Sequence, residues 1–284
     1  MDGETTAMFK KIVIIGMGLM GGSLAAACRK KFPKTRIVGV TRNPGALALA
    51  LKRKWIHEGT RDVLAGARDA DCVVICTPVD SYLPQLEKLD RVVADRALVT
   101  DVGSVKKAIH DLVNARTWKK ISFVGAHPMV GSHERGIDFA SPGLYGEGMV
   151  ILTRDSKTDR RSFQKAKYFW GRLSKKTVVL DPRTHDKLIA EISHLPHALA
   201  ASLARSVSTR SLSLAAAGFR DTTRVAASDI SVWRPIFQLN RRQLFSAMTR
   251  FEKELKHFKA VLRSDDPVAL GRYLSRAQRI RQSL

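Results

Sequence analysis

Three short segments of the sequence combine residue types that are suited to proton transfer. The first is Gly125-Ala126-His127-Pro128, which places a histidine before a proline. The second is Asp101-Val102-Gly103-Ser104. The third is Ser193-His194-Leu195-Pro196-His197, with two imidazoles three residues apart. Because histidine exchanges a proton near neutral pH, these segments predict general acid–base chemistry.

A fourth segment is rich in glycine and reads Gly16-Met17-Gly18-Leu19-Met20-Gly21. It follows an apolar run and precedes an alanine-rich stretch that is typical of a helix, which is the context that a GxGxxG pattern requires. The first glycine permits a tight turn, the second lets a pyrophosphate approach the backbone, and the third allows close packing of helix on strand. Free amides at the helix start would then bind the phosphates, so the segment predicts a dinucleotide site.

The end of the second predicted strand indicates which dinucleotide is preferred. NAD enzymes usually place an acidic residue there, on the ribose 2′-hydroxyl. This sequence has Thr41 at that position, followed by Arg42 and Asn43. No carboxylate repels a 2′-phosphate, and Arg42 can pair with one, so we expect NADP to be preferred over NAD. The predicted cofactor-binding residues are Gly16, Gly18, Leu19, Met20, Gly21, Thr41, Arg42, Asn43, Thr77 and Pro78.

Alternation of apolar runs with helical stretches indicates how these segments are positioned. Strands are predicted at residues 11–15, 36–40, 71–77, 97–101, 121–125, 149–153 and 177–180, with a helix at 46–54. This order is typical of an α/β, doubly wound parallel sheet of the Rossmann type. The segments of Ser104 and His127 directly follow strands, and such sheets bind ligands at the carboxyl ends of their strands.

The predicted secondary structure changes near Pro182. No strand is predicted from residue 185 onward, and long helices are expected over residues 195–217 and 240–262. We therefore expect a Rossmann-type domain over residues 1–181 and an all-helical domain over residues 182–284. The helical part has more apolar positions than one layer of helices can bury, which predicts a homodimer formed through it.

Composition limits the remaining classes of protein. The net charge of the 284 residues is +23, but the basic residues are spread along the chain and no RNA-binding aromatic motif or zinc-finger spacing occurs. We expect no nucleic acid partner. Cys28, Cys72 and Cys76 form no CxxC pair, so no metal site is expected. No apolar run could span a bilayer and the N-terminus has no signal-peptide core, so we expect no membrane association and a cytoplasmic location.

The order of five segments resembles that of prephenate and arogenate dehydrogenases. The segments read GMGLMGGSLA, DVGSVK, GAHPMVGSHERG, SHLPHALA and DTTRVAASD, and the resemblance runs from Ile12 to Trp233. It implies a Rossmann domain followed by a helical dimerisation domain. It also implies oxidative decarboxylation of prephenate or arogenate in tyrosine biosynthesis, with hydride transfer to a nicotinamide cofactor.

The resemblance further implies roles for individual residues. His127 accepts the proton of the substrate hydroxyl, and Ser104 forms a hydrogen bond near the same hydroxyl. The substrate-binding residues that it implies are His194, His197, Arg224, Ser132, His133, Asp186 and Trp233. Among these, Asp186 is expected to pair with Arg224 and set its orientation.

One departure from the family pattern leaves the substrate open between prephenate and arogenate, and four histidines lie outside the matched segments. His133 stands where many family members carry an acidic residue, so a different group meets the side-chain end of the substrate. Four further histidines match no motif, and no role is expected for them: His57, His110, His185 and His257.

Two alternative functions are considered. A hydroxyacid dehydrogenase of the 3-hydroxyisobutyrate type also begins with a glycine pattern and ends in helices, but it uses a catalytic lysine and leaves HPMVG and SHLPHALA unexplained. A non-catalytic, basic Rossmann protein that binds nucleotides or nucleic acid would not need His127 or Ser104, and both are present.

Overall fold

A single eight-stranded sheet forms the centre of the computed structural model, which describes residues 8–131 and 134–284. The strands are β1 (Lys11–Ile15), β2 (Arg36–Val40), β3 (Glu58–Thr60), β4 (Cys72–Ile75), β5 (Ala97–Asp101), β6 (Ile121–Pro128), β7 (Met149–Thr153) and β8 (Lys176–Leu180). Their order across the sheet is β3-β2-β1-β4-β5-β6-β7-β8. The reversal of strand order beside β1 is the topology of a Rossmann fold, as the sequence predicts.

Helices connect the strands and make up the rest of the chain. The α-helices are α1 (Leu19–Lys31), α2 (Pro44–Lys52), α3 (Val63–Ala67), α4 (Tyr82–Val92), α5 (Lys107–Asn114), α6 (Arg160–Leu173), α7 (Pro182–Ile189), α8 (Leu195–Ser206), α9 (Thr209–Leu212), α10 (Ala217–Thr223), α11 (Ile230–Leu239), α12 (Arg241–Arg263) and α13 (Pro267–Gln282). Short 3₁₀ helices lie at Val79–Ser81 and Arg224–Ala227, and a π-helix lies at Ala190–His194.

Two strands depart from the predicted sheet. The pairing of β6 with β7 is antiparallel, whereas every other neighbouring pair is parallel. This pairing extends β6 as far as Pro128, so His127 lies within the strand and not in a loop after it. The edge strand β3 was not predicted, because its sequence Glu-Gly-Thr has no apolar alternation.

Both faces of the sheet are covered, which explains why the central strands read as continuous apolar runs. One hydrophobic core lies between the sheet and α1, α2 and α6, and includes Leu24 and Trp170. The other lies between the sheet and α3, α4 and α5, and includes Leu86 and Ile109. The carboxyl ends of β1, β4, β5 and β6 are thus fixed by packing on both sides.

The helical part differs from prediction in one place. The helix expected over residues 195–217 ends at Ser206, because Val207 adopts an extended backbone and Ser208 caps the next short helix. At the start of α8, Pro196 has no N–H with which to bond the preceding turn, and the wider π-helical turn at Ala190–His194 lies there. The long helix predicted near residue 240 is present as α12.

Large apolar side chains remain exposed on this helical part. Ile230, Phe245, Val268 and Ile280 each expose more than 60% of their surface. Helix α13 has no buried residue. Over the described residues, no helix combines the length and the apolar composition needed to cross a membrane.

Candidate active site

The glycine-rich turn between β1 and α1 has the geometry of a phosphate cradle. Gly16 has a φ of +97°, and a Cβ atom there would lie 2.8 Å from the carbonyl oxygen of Cys76. A Cβ atom on Gly21 would lie 1.8 Å from the Gly16 carbonyl oxygen, so only glycine fits at either position. Gly18 faces open space, and α1 begins beyond it with no side-chain cap and no acidic residue in its first turn. The amides of Leu19 and Met20 are therefore available for a pyrophosphate.

A cleft of about 640 Å³ runs along this turn. Thr41, Thr77 and Pro78 line both this cleft and a second one of about 610 Å³ next to it. Asn43 also lines the first cleft, but its side-chain oxygen already accepts hydrogen bonds from the amides of Gly45 and Ala46 and caps α2. Seven of the ten predicted cofactor residues line these two adjoining clefts, whereas Leu19, Met20 and Gly21 do not, and Asn43 also caps a helix.

The second cleft contains more basic side chains than the sequence suggests. Arg42, Arg61 and Lys88 line it, together with one acidic residue, Asp80. Within the described parts of the chain, none of the three basic side chains forms a hydrogen bond or an ion pair. Sequence reasoning missed Arg61 because it follows β3, the strand that was not predicted.

A third cleft, of about 500 Å³, lies between the sheet and the helical part. Leu19, Met20 and Cys76 line it from one side, and Asp229 and Trp233 line it from the other. Ser132 and His133 lie outside the residues that the structure describes, directly after Gly131, which also lines this cleft.

His127 stands at the end of a chain of three buried side chains. Its Nδ1 lies 2.9 Å from Nε2 of His185, and Nδ1 of His185 lies 2.8 Å from a carboxylate oxygen of Asp186. Only 8% of His127 and 2% of Asp186 are exposed, and His185 is completely buried. The sequence assigned no role to His185, and no motif could have shown that α7 carries it to β6.

The hydrogen bonds of this Asp186–His185–His127 relay determine which nitrogen carries each proton. A carboxylate only accepts hydrogen bonds, so Nδ1 of His185 donates to Asp186. Nε2 of neutral His185 is then an acceptor, and Nδ1 of His127 donates to it. Nε2 of His127 is consequently left with a free lone pair, which is the form required of a proton acceptor.

The surroundings of His127 also favour its neutral form. Burial lowers the pKa of His127 well below 6.5, and the charges of His185, Lys106 and His194 lower it further. Burial likewise lowers the pKa of His185, against the opposing effect of its hydrogen bond to Asp186. His127 is therefore unprotonated at neutral pH.

The expected pairing of Asp186 with Arg224 is wrong. The two carboxylate oxygens of Asp186 accept hydrogen bonds from the backbone amides of Lys106 and Lys107, 2.8 and 3.0 Å away. With His185 they satisfy the buried carboxylate at the start of α5, where the helix dipole also favours an anion. Arg224 is exposed at the start of its 3₁₀ helix and forms no ion pair with a described residue.

Ser104 lies half-buried in the loop between β5 and α5. The N-cap of α5 is Lys106, so Ser104 does not cap this helix. Its hydroxyl forms no hydrogen bond within the described residues. At the beginning of the loop, the carboxylate of Asp101 accepts a hydrogen bond from the Gly103 amide at 2.9 Å, which holds the loop on the strand end.

His194 is completely buried, and Asn240 forms a hydrogen bond with its ring. The amide nitrogen of Asn240 donates both to the carbonyl oxygen of Asp186 at 2.8 Å and to Nδ1 of His194 at 3.1 Å. The proton of neutral His194 is therefore on Nε2, which has no hydrogen-bond partner in the described structure. Burial lowers the pKa of His194 to about 4, so this imidazole is a neutral donor.

The imidazole of His197 stacks on the indole of Trp233, with ring centroids 3.4 Å apart. The imidazole of His194 contacts the same indole edge-on, with centroids 6.0 Å apart. Nδ1 of His197 donates to the carbonyl oxygen of Ser193 at 3.1 Å, which leaves its Nε2 free. Burial lowers the pKa of His197, and the nearby charge of Arg224 adds to this effect. The helical part thus contributes two oriented imidazoles, one indole and a guanidinium.

Among the described residues, no group of three or more histidine, cysteine, aspartate or glutamate side chains is arranged to hold a metal ion. Cys28, Cys72 and Cys76 are free thiols.

Comparison with known families gives matches to both halves of the chain. The family model for the nucleotide-binding domain of prephenate dehydrogenase matches residues 24–179, and that for the dimerization domain of prephenate dehydrogenase matches residues 181–276. A prephenate dehydrogenase of Bacillus subtilis is 33% identical over 280 residues, which cover 96% of this chain and 76% of that protein.

Solved structures show the same arrangement. The prephenate dehydrogenase of A. aeolicus, in complex with hydroxyphenyl propionate and NAD+, superimposes with a TM-score of 0.88 at 32% identity, covering 96% of this chain and 98% of that one. The arogenate dehydrogenase of Synechocystis superimposes with a TM-score of 0.81 at 29% identity, covering 96% and 99%. Both family models describe prephenate dehydrogenase, which favours that family over the two alternative functions considered from the sequence.

Proposed function

We propose, from the premise that this chain belongs to the prephenate dehydrogenase family, that it oxidises and decarboxylates prephenate in tyrosine biosynthesis. As a member of that family it is an oxidoreductase that works with a nicotinamide cofactor. The observation that carries the proposal is the buried relay, which leaves Nε2 of His127 free to accept a proton.

The proposed reaction needs one proton acceptor and correct alignment. A nicotinamide dinucleotide held by the glycine-rich turn between β1 and α1 would supply the acceptor for the hydride of the ring carbon that bears the hydroxyl. Nε2 of His127 accepts the hydroxyl proton while the C–O bond becomes a carbonyl. The ring carboxylate then leaves as carbon dioxide, its bonding electrons complete the aromatic ring, and the proton returns to the phenolate oxygen. We propose that the free hydroxyl of Ser104 forms a hydrogen bond to the reacting oxygen.

We further propose that the helical part binds the carboxylates of the substrate. Arg224 provides a planar guanidinium that is suited to bidentate carboxylate binding. Its charge lowers the pKa of His197, so the two side chains lie near each other. The Nε2–H of His194 is a buried donor without an acceptor among the described residues, and a substrate oxygen would satisfy it. Prephenate is favoured over arogenate because His133 does not offer the negative charge that an ammonium group would require.

The proposed cofactor preference is for NADP. The cleft next to Thr41 is lined by three basic residues, Arg42, Arg61 and Lys88. Asp80 is the one acidic residue in that lining, so this part of the groove has a surplus of positive charge. A 2′-phosphate carries nearly two negative charges and would form charge-assisted hydrogen bonds there. The neutral side chain of Thr41 leaves room for it without repulsion.

We also propose a homodimer formed through residues after Pro182. Phe245, Val268 and Ile280 each expose more than 60% of their surface, which is more apolar area than a helical layer that faces water usually leaves exposed. Light scattering should give a mass near twice 31.5 kDa at micromolar concentration. A mass of one chain would contradict this part of the proposal.

Steady-state kinetics that cross prephenate and arogenate with NAD and NADP test the function directly. We expect turnover with prephenate, together with release of carbon dioxide and reduction of the cofactor, and a higher kcat/KM with NADP. Turnover of arogenate alone would overturn the proposed substrate. Absence of turnover in all four combinations by a folded dimer would overturn the proposed activity.

A further inference from the structure

We infer that Lys106 is a positioning residue that fixes His127 and the Ser104 loop relative to each other through a buried ion pair with Asp101. The inference rests on the proposed function of His127 and Ser104. It concerns the last residue of the DVGSVK segment, for which the sequence predicted no role and which is completely buried.

The Asp101–Lys106 pair is completely buried. Nζ of Lys106 lies 2.5 Å from Oδ2 of Asp101, and neither side chain is exposed. The stem of Lys106 lies against the backbone of Gly125, where an added Cβ atom would be 3.2 Å from the lysine Cδ. The same Cβ atom would also lie 3.0 Å from Nε2 of His110 and would collide with the hydroxyl of Thr153, so glycine at position 125 leaves room for all three side chains.

The pair connects both candidate catalytic segments. The ammonium of Lys106 donates to the carbonyl oxygen of Ala126 at 2.7 Å, and Oδ1 of Asp101 accepts from the Ala126 amide at 2.9 Å. Both backbone polar groups of Ala126, the residue before His127, are thus held by one ion pair. Asp101 and Lys106 also stand at the two ends of the loop that carries Ser104.

Residue 106 is linked to the relay as well. Its backbone amide donates to the Asp186 carboxylate, which orients His185 and through it His127. The groups that face His127 are His185 from α7, His194 from the π-helix and Lys106 from the loop before α5, with Asp186 behind His185. Burial lowers the pKa of Lys106, against the opposing effect of its ion pair with Asp101, and the positive charge of Lys106 in that pair helps to keep His127 unprotonated.

Stability alone is a weak reason for this pair. Replacing a buried ion pair by apolar residues is often neutral or stabilising, because burial removes the water around two charges. Without Lys106, the carboxylate of Asp101 would keep three donors, namely the hydroxyl of Tyr82 at 3.1 Å and the amides of Gly103 and Ala126. Removing Lys106 alone is nevertheless destabilising, because it leaves the buried charge of Asp101 without its cation, and these donors offset only part of that cost. Asp101→Asn/Lys106→Met removes both charges together and is the variant that is expected to fold if the single variants do not.

The test compares Lys106→Met, which has a similar stem and no charge, with Lys106→Gln, which keeps N–H donors without the charge. Lys175→Met is the control, since Lys175 forms an exposed ion pair with Glu147. The pKa of His127 is measured by NMR in protein labelled with ¹⁵N-histidine, and kcat and KM are measured over pH. The NMR measurement does not depend on turnover.

We expect both Lys106 variants to raise the pKa of His127 by roughly one pH unit, because a nearby positive charge is removed. The acid limb of kcat should move upward with it, and kcat at pH 8 should fall about tenfold while KM changes little. Lys106→Gln should lose less kcat than Lys106→Met. Lys175→Met should change none of these values.

An unchanged pKa of His127 in both folded variants, with unchanged kcat, would overturn the inference. A raised pKa with full kcat at pH 8 would also overturn it, because Lys106 would then act as a charge and not position the site. Failure of the proposed function gives a different result, since turnover would then survive His127→Asn while the pKa of His127 still responds to Lys106.

Discussion

Removal of the imidazole of His185 should disable His127 without touching the substrate. In His185→Phe, the ring keeps its place in the buried interior but offers no acceptor to Nδ1 of His127, which now bonds it at 2.9 Å. His127 is only 8% exposed, so water cannot easily replace the lost partner. The tautomer with its proton on Nδ1 is then an unsatisfied buried donor.

The expected magnitude follows from this lost hydrogen bond. An unsatisfied buried donor costs about 1–3 kcal/mol, while the opposite tautomer avoids the cost by moving its proton to Nε2. The productive tautomer should therefore become rarer by roughly 5- to 150-fold. We predict that kcat falls by this factor and that KM changes by less than about twofold.

The assay is a double-mutant cycle measured by cofactor reduction under saturating substrate. His127→Asn alone should reduce kcat by about 100-fold or more. Because His185 acts through His127, His127→Asn/His185→Phe should be no slower than His127→Asn. His185→Gln offers an amide oxygen and should recover part of the loss, and His257→Phe serves as an exposed control. Full kcat in His185→Phe, or additive losses in the double variant, would refute the relay.

Three further predictions address the substrate, the cofactor and pH. Arg224→Ala should raise KM for prephenate at least tenfold with a smaller change in kcat, since a charge-assisted bond contributes about 1.5–3 kcal/mol; an unchanged KM would show that the guanidinium does not meet the substrate. Thr41→Asp/Arg42→Ala should shift kcat/KM from NADP toward NAD by about 10- to 100-fold, and a parent enzyme that already prefers NAD tenfold would contradict the assignment of the second cleft. The pKa of His194 is about 4 in the folded chain and 6.5 as its ordinary value, so its contribution to stability is present above pH 6.5 and is lost as pH falls toward 4. That loss is about 3 kcal/mol between pH 7 and pH 4, and urea unfolding of His194→Gln should show a correspondingly smaller decrease over this range than the parent.

Local sequence patterns were sufficient for the elements and for the cofactor loop. The apolar runs of β1, β2 and β5 are buried between two helical layers, so their periodicity is the direct result of their position. The glycines at 16 and 21 are required by contacts with backbone atoms next to the turn. His127 and Ser104 could be placed near one another because parallel strands end at the same edge of the sheet.

The hydrogen-bond partners of these residues were beyond the reach of local patterns. His185 meets His127 across 58 residues, and the orientation of α7 that allows it is set by packing against α5 and β7. The sequence could not show that Asp186 binds backbone amides and not Arg224. The amides of Lys106 and Lys107 reach its carboxylate only because α5 begins there.

The sequence by itself determined a Rossmann-type sheet, a dinucleotide turn and a histidine at a strand end, since each is encoded within a few neighbouring residues. Tertiary structure decided the antiparallel β7, the cations of the second cleft and the burial of Lys106. Lys106 reads in sequence as an ordinary charged residue at a helix start, and its burial rests on contacts with Asp101 and with the Ala126 carbonyl oxygen. Such facts depend on contacts between segments that are distant in the chain, and no pattern of neighbouring residues contains them.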